Sequence, residues 1–318
     1  MLRRTRPFLF AAYLVALAGF TWKVAVPVSL QYLVLWLSAA MLVASVGNPL
    51  GWVKGMFLDW LPLYIILICY SSVRGVADNL GEAPHEFPQR QFDQFVFGAG
   101  GLTGRLQSWL WTPHRLAIWD YGAWTIYMTH FFLGLAVAAA LWIRDRGTFL
   151  AFSRRLVGLW MGAIMVFAAY PTVPPWMAAN NGSFPHLTRI VGRVWHSVTS
   201  EQIRAARPSG GRGSSIENAV AAVPSLHAAI PMMICLFMWS RWRRGRPLLV
   251  VYAFLMGVTL VYVGEHFVFD VLAGWLLAVV VHLAVGRYER RGSSAAGRDL
   301  RDPGLPEQMD PRAWSPAD

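Results

Sequence analysis

Charge is scarce in this chain. Only 14% of its 318 residues are Asp, Glu, Lys or Arg, against 56% hydrophobic residues and a mean hydropathy of +0.42, which excludes a single soluble domain of this size. Cysteine is scarcer still. Cys69 and Cys235 both fall inside apolar runs, so a disulfide framework of the secreted type is excluded and both read as packing residues. No internal repeat is present. His85, His114, His186 and His196 lack the spacing of a zinc site such as His-Glu-x-x-His, so no metal and no other cofactor is expected.

What the chain has in abundance is apolar runs of the length a bilayer requires. Eight are near residues 7–26, 28–46, 57–73, 120–143, 156–172, 219–240, 247–263 and 266–286, each close to the ~17–25 residues that cross a hydrocarbon core as a helix. Sixteen Trp and ten Tyr, many near run ends, suit the aromatic belts of a membrane surface. The fold class expected is therefore all-α, a polytopic membrane bundle of about eight transmembrane helices. The first run follows Arg3, Arg4 and Arg6 but has no small-residue cleavage site and leads straight into another span. It reads as a retained anchor rather than a signal peptide.

The net charge of +11 lies largely in short basic clusters: Lys54; Arg144, Arg146, Arg154 and Arg155; Arg241, Arg243, Arg244 and Arg246; Arg287, Arg290 and Arg291. Eight spans put all of these on one side with both termini, and the positive-inside rule names that side cytoplasmic. The charge is thus accounted for by topology, and no nucleic-acid partner is expected. The opposite side receives two long loops, about 74–118 and 173–218, and the turn at Gly264 and Glu265. The tail from residue 287 is rich in Gly, Ser and Pro with mixed charge, and is expected to be disordered.

Two strings about forty residues apart lie at borders of apolar runs on that same outer side: Val223-Pro224-Ser225-Leu226-His227 and Gly264-Glu265-His266-Phe267-Val268-Phe269-Asp270. A histidine four residues before an aspartate on one helix donates one ring N–H to the carboxylate and offers its other nitrogen as a nucleophile. A second histidine opposite it supplies a proton to a leaving oxygen. Ionisable groups at a membrane edge are expensive unless paired or functional. For His227 alone, the competing reading is a helix cap, since Pro224 and Ser225 are ordinary at a helix start.

Pro-Ser-x-His and His-x-x-x-Asp resemble the second and third signatures of the type-2 phosphatidic acid phosphatase and vanadium haloperoxidase superfamily. Tyr170-Pro171-Thr172-Val173-Pro174-Pro175-Trp176, Val223 to Ala229 and Gly264 to Gly274 resemble more narrowly its inositol phosphorylceramide synthase branch. The resemblance covers roughly residues 74–286. It implies a six-helix catalytic core, with residues 1–56 as anchor helices, 57–286 as the phosphatase or phosphotransferase-like domain and 287–318 as the tail. It also implies that His266 is the nucleophile, Asp270 its orienting partner, His227 the general acid and base, and Ser225 a phosphate ligand.

The departures are as informative. The superfamily's phosphatases carry a Lys with six residues between it and an Arg-Pro, whereas here Phe167 precedes Pro174-Pro175 at that spacing. Arg207-Pro208 has Ser200 at the lysine position, and Thr259 and Leu260 stand where a Ser-Arg precedes the histidine. A transferring phosphoryl group needs its charge stabilised, so outer-loop cations are sought: first Arg189 and Arg193, then Arg207 and Arg212 in the Gly-rich Ser209 to Ser215 stretch, with Asn218 as an amide donor. That stretch reads equally as a flexible linker. Tyr170 to Trp176 reads equally as a proline stop with an interfacial Trp. Asp120 and His130, ten residues apart, sit on different faces of a helix and are expected to pack.

The reaction expected is therefore transfer or removal of a phospho-headgroup through a phosphohistidine, on a phospholipid or lipid-linked phosphate, with an inositol-phosphate donor implied by the resemblance. Plain hydrolysis of phosphatidic acid or a polyprenyl phosphate is the nearest alternative. A transporter is the rival of another class, but it would need polar groups along several spans near the bilayer centre.

Overall fold

The computed structural model describes residues 2–23, 30–77, 84–113, 115–198 and 221–299. Among the described residues the chain is helical, with no strand beyond isolated bridges. The helices are α1 (Leu2–Lys23), α2 (Leu30–Ser45), α3 (Leu50–Ala77), α4 (Gln89–Phe97), α5 (Gly101–Leu110), α6 (Ile118–Arg144), α7 (Arg146–Ala169), α8 (Pro175–Asn180), α9 (Ile190–Val198), α10 (Leu226–Met238), α11 (Arg246–Tyr262) and α12 (Val268–Asp299). Five stretches, Leu50–Tyr70, Ile118–Arg144, Arg146–Ala169, Arg243–Tyr262 and Val268–Arg291, are long and apolar enough to cross a membrane. Tyr32–Ser45 and Leu226–Met238 are apolar but shorter. The all-α membrane bundle is what the apolar runs predict, with five spans of full length where eight runs were counted. The first run, in α1, is not among those five.

Lipid-facing surface and core separate as a bilayer demands. On α12, Leu272, Leu276, Val280 and Leu283 form an exposed stripe at helical spacing, and α11 exposes Leu248, Val251 and Leu255. By contrast α10 is buried nearly all round, as expected of a helix apolar on every face: Leu226, Ala229, Met233 and Phe237 are all within the core. It packs against α6, α7, α11 and α12. Thirteen residues at 1.5 Å each give about 20 Å, less than the ~30 Å of a hydrocarbon core.

The two ends of the bundle differ. At one end, Arg146 makes a two-pronged ion pair with Asp59, both contacts 2.6 Å, and Arg154 and Arg155 both reach Glu289. With the Trp142 indole of α6 also donating to Asp59, these bonds tie α3, α6, α7 and α12 together. They also explain a departure from expectation: α12 continues as helix through residue 287 to Asp299, where the composition suggested disorder, because Glu289 anchors it to α7.

The other end is capped by the short helices α4, α5, α8 and α9. Gln107 of α5 donates to the carbonyls of Thr188 and Tyr262 and accepts from the Thr188 amide. Trp119 at the start of α6 donates to Leu110 O. Beneath the cap, Val173, Ala178, Phe184, Leu187 and Phe267 form a small core of their own, with Phe184 edge-on to Phe267 at 5.4 Å.

Two glycines are required by geometry. Gly264, at φ +81, turns the chain between α11 and α12 in a conformation that costs glycine little. Gly274 lets α12 touch the start of α10, since a Cβ there would lie 2.3 Å from Ser225 O. Gly274→Ala is expected to cost about 1–3 kcal/mol, the range for overpacking, and to lower turnover together with thermal stability. Gly122→Ala on α6, where a Cβ meets nothing within 4 Å, serves as the control that leaves both unimpaired.

Candidate functional site

The α12 N-terminus is the foundation of the site. Its first free N–H groups are taken by two buried carboxylates: Phe267 N donates to Asp270 Oδ2 at 2.9 Å, while Val268 N and Phe269 N donate to Asp93 at 3.2 and 3.3 Å. Anionic acceptors at a helix N-terminus are favoured by both the orphan amides and the macrodipole. Asp270 Oδ2 also lies 3.3 Å from His266 Nδ1. His266 lies two residues before α12 and not on the helix with Asp270 as the spacing suggested; the Asp270 side chain turns back over the helix start to meet it, with both residues buried.

Asp93 was not found by reading the sequence. It sits on α4, fully buried, and desolvation pushes its pKa up to about 7 against the opposing pull of the Val268 and Phe269 amides, with the Asp270 charge adding to the rise. Nothing in its local sequence marks it, because its partners lie 175 and 176 residues away.

The Pro-Ser-Leu-His string caps α10. Ser225 is the N-cap residue, its hydroxyl accepting from Ala228 N at 3.3 Å, which is the geometry the helix-start reading of this string predicts. Its own amide donates to Asp270 O at 3.0 Å, so the two motifs are joined by backbone. His227 follows in the first turn, and its ring lies 5.7 Å from that of His266, centroid to centroid.

The third string joins the same place. Thr172 Oγ1 accepts from Val223 N at 2.9 Å and Thr172 O accepts from Ala222 N. Trp176 N donates to Gly264 O at 3.3 Å. Tyr170 stacks on His85 at 4.2 Å and donates to Phe87 O.

A third histidine stands beside these two. His130 lies 3.9 Å from the His227 ring, and Tyr127, one turn earlier on α6, stacks on His227 at 4.8 Å. His130 was expected to pack, and it packs against the site. The legible signal was the cost of an imidazole in an apolar span. Asp120 is structural, accepting from Ala117 N and from the Tyr262 hydroxyl. His130 is twelve residues into α6, which at 1.5 Å per residue is about 18 Å from the helix start. The histidines are therefore recessed in the bundle beneath the cap.

The cations sort differently from one another. Arg189 forms a two-pronged pair with Glu265, at 2.7 and 3.2 Å, and lies 4.2 Å over the Trp176 ring, which places it next to His266 along the chain. Arg193 is exposed on α9. Asn218, Arg207, Arg212, His114 and the Ser209 to Ser215 stretch lie outside the described residues. Phe167, at the position of the expected lysine, is buried near Tyr70, and Thr259 and Leu260 are buried in α11. Among the described residues, no group of three or more His, Cys, Asp or Glu is arranged to hold a metal ion.

No curated protein and no solved structure matches the chain. A family model does match, that of the PAP2 superfamily, over residues 102–284. The match spans more than half of the chain and takes in His130, Arg189, Ser225, His227, His266 and Asp270, while α1 to α4 with Asp93 lie before it. With this match, three motifs joined by backbone hydrogen bonds and an apolar helical bundle, the chain belongs to the PAP2 superfamily of type-2 phosphatidic acid phosphatases and is an integral membrane protein.

Proposed function

We propose that the chain transfers a phospho-headgroup between membrane lipids through a phosphohistidine. The observation carrying this reading is the pair of facing imidazoles, 5.7 Å between ring centroids, one of which has Asp270 at its Nδ1. His266 donates Nδ1–H to Asp270 and attacks phosphorus with Nε2. The N–P bond forms, the P–O bond to the leaving group breaks, and His227 gives that oxygen its proton. In the second half-reaction His227 takes the proton of an acceptor hydroxyl as its oxygen bonds to phosphorus and the N–P bond breaks.

Tyr127 and His130 hold the His227 ring from α6, so it acts as a fixed acid and base. Ser225 accepts from Ala228 N and retains its own proton to donate to a phosphoryl oxygen. A phosphate at His227 also meets the positive end of α10. Arg189 supplies charge from beside His266, held to Glu265 and Trp176, with Arg193 and Asn218 as further candidates in the same outer segment. Asp93 positions the first turn of α12, and with it the His266–Asp270 pair.

Hydrolysis is the same chemistry with water as acceptor. The buried Phe167, Thr259 and Leu260 favour transfer, because a site short of cations suits a phosphodiester donor, such as an inositol phospholipid, better than a doubly charged monoester. The basic end of the bundle is assigned to the cytoplasm and the histidines to the outer half of the membrane.

The deciding experiment incubates the purified full chain in vesicles containing radiolabelled phosphatidic acid and phosphatidylinositol, and resolves free phosphate from new lipid products. New phospholipid that disappears in His266→Ala supports transfer, and free phosphate that disappears in it supports hydrolysis. Wild-type turnover in His266→Ala overturns the mechanism. His227→Ala is expected to lower turnover ~10²–10⁴-fold, the range for a lost general acid–base group. Asp93 binds its proton more tightly folded than unfolded, so its contribution to stability is full below about pH 4 and is lost as pH rises through about 7, levelling above that. Melting temperatures across this window are expected to show a slope in the wild type that is absent in Asp93→Asn.

A further inference from the structure

Away from the histidines, bordered by α1, α2, α3 and α6, lies a cavity of 1340 Å3. It exceeds the roughly 300–1,000 Å3 of pockets that hold drug-sized ligands. Its α6 wall begins at Ala136, more than a turn beyond His130 toward the basic end.

Small residues at one-turn spacing line it on three helices: Ala40 and Ala44, Gly51 and Gly55, Ala136 and Ala140. Such pairs in membrane helices ordinarily bring backbones into close contact. Here they do not. A Cβ at Gly51 or Gly55 would meet nothing within 4 Å, so the small faces border an open volume instead of a helix–helix seam. The remaining wall is largely apolar, with Phe10, Leu37 and Trp60.

Polar groups are also part of the lining. Arg146 and Trp142 Nε1 both donate to Asp59, and Arg6 joins from α1. Two arginines against one aspartate leave one net positive charge. The same end of the bundle carries Arg154 and Arg155, and basic residues of this kind are drawn to an anionic membrane surface.

We propose that this cavity is a binding site for an anionic glycerophospholipid, with an acyl chain between the small-residue faces and its phosphate at Arg6 and Arg146. It is separate from the catalytic histidines and does not depend on the reaction they perform. The bound lipid occupies the volume that α1, α2, α3 and α6 leave between them.

The test uses the full chain, washed free of lipid in detergent and titrated with phosphatidylglycerol or phosphatidylcholine, following Tm by tryptophan fluorescence and bound lipid by native mass spectrometry. Phosphatidylglycerol is expected to raise Tm by a few degrees and saturate at one bound lipid, as a ligand of the folded state does, with a smaller rise from phosphatidylcholine. Gly55→Trp places an indole between the small-residue faces, where the acyl chain is proposed to lie, and is expected to lose both the rise and the bound lipid while turnover stays within twofold of wild type. Arg6→Gln is expected to remove the preference for phosphatidylglycerol. Equal rises with the two lipids in the wild type, or an undiminished rise in Gly55→Trp, overturn the proposal. A wild-type dimer that Gly55→Trp converts to monomer also overturns it, since a second copy of the chain would then be the occupant. If Gly55→Trp does not fold, Ala140→Leu takes its place with the same expected outcomes.

Discussion

The beginning of α12 carries an unusual concentration of acceptors. A helix start leaves backbone amides without intrahelical partners, and in this one Phe267, Val268 and Phe269 all find carboxylate oxygens, from Asp270 of the same helix and Asp93 of the cap. Asp270 then does two further things: its side chain meets His266, and its carbonyl takes the Ser225 amide at the start of α10. One helix terminus therefore fixes a histidine, a neighbouring helix and a cap helix together. Placing two carboxylates in one buried region is electrostatically costly, and the amides of the helix start offset part of that cost while desolvation still holds the Asp93 pKa up.

From there the rest of the site is a matter of stitching. Thr172 ties the Tyr170 to Trp176 string to the chain before Ser225, Trp176 ties it to Gly264, and Gln107 ties the cap to the end of α11. Most of these bonds are to backbone, which fixes main-chain position independently of neighbouring side chains. The Arg189–Glu265 pair, stacked on Trp176, adds a charged element on the same scaffold.

The long apolar helices were legible in the sequence because bilayer thickness sets their length and composition together. The His266–Asp270 pair was legible because its two members are only four residues apart, although His266 precedes the helix that carries Asp270. What escaped was non-local. Asp93 serves amides about 175 residues further along the chain, and no periodicity in α4 announces that. His130 was visible as a polar residue in an apolar span, yet its role depended on how α6 packs against α10. The helical stretch from residue 287 to Asp299 was misread because composition alone does not show that Glu289 meets two arginines of α7. The small-residue faces of α2, α3 and α6 read as ordinary apolar sequence until the gap between them is seen.

The depth of the histidines bears on how reactants arrive. The site begins about 18 Å from the start of α6, by helical rise, and lies under its own capping core, with His266 and Asp270 buried. An acceptor carried on a lipid reaches such a place by diffusion in two dimensions, and its effective concentration is its mole fraction in the leaflet. Water has no such advantage there. In the reaction proposed above, the choice between a lipid acceptor and water therefore rests on burial as much as on the chemistry of the imidazoles.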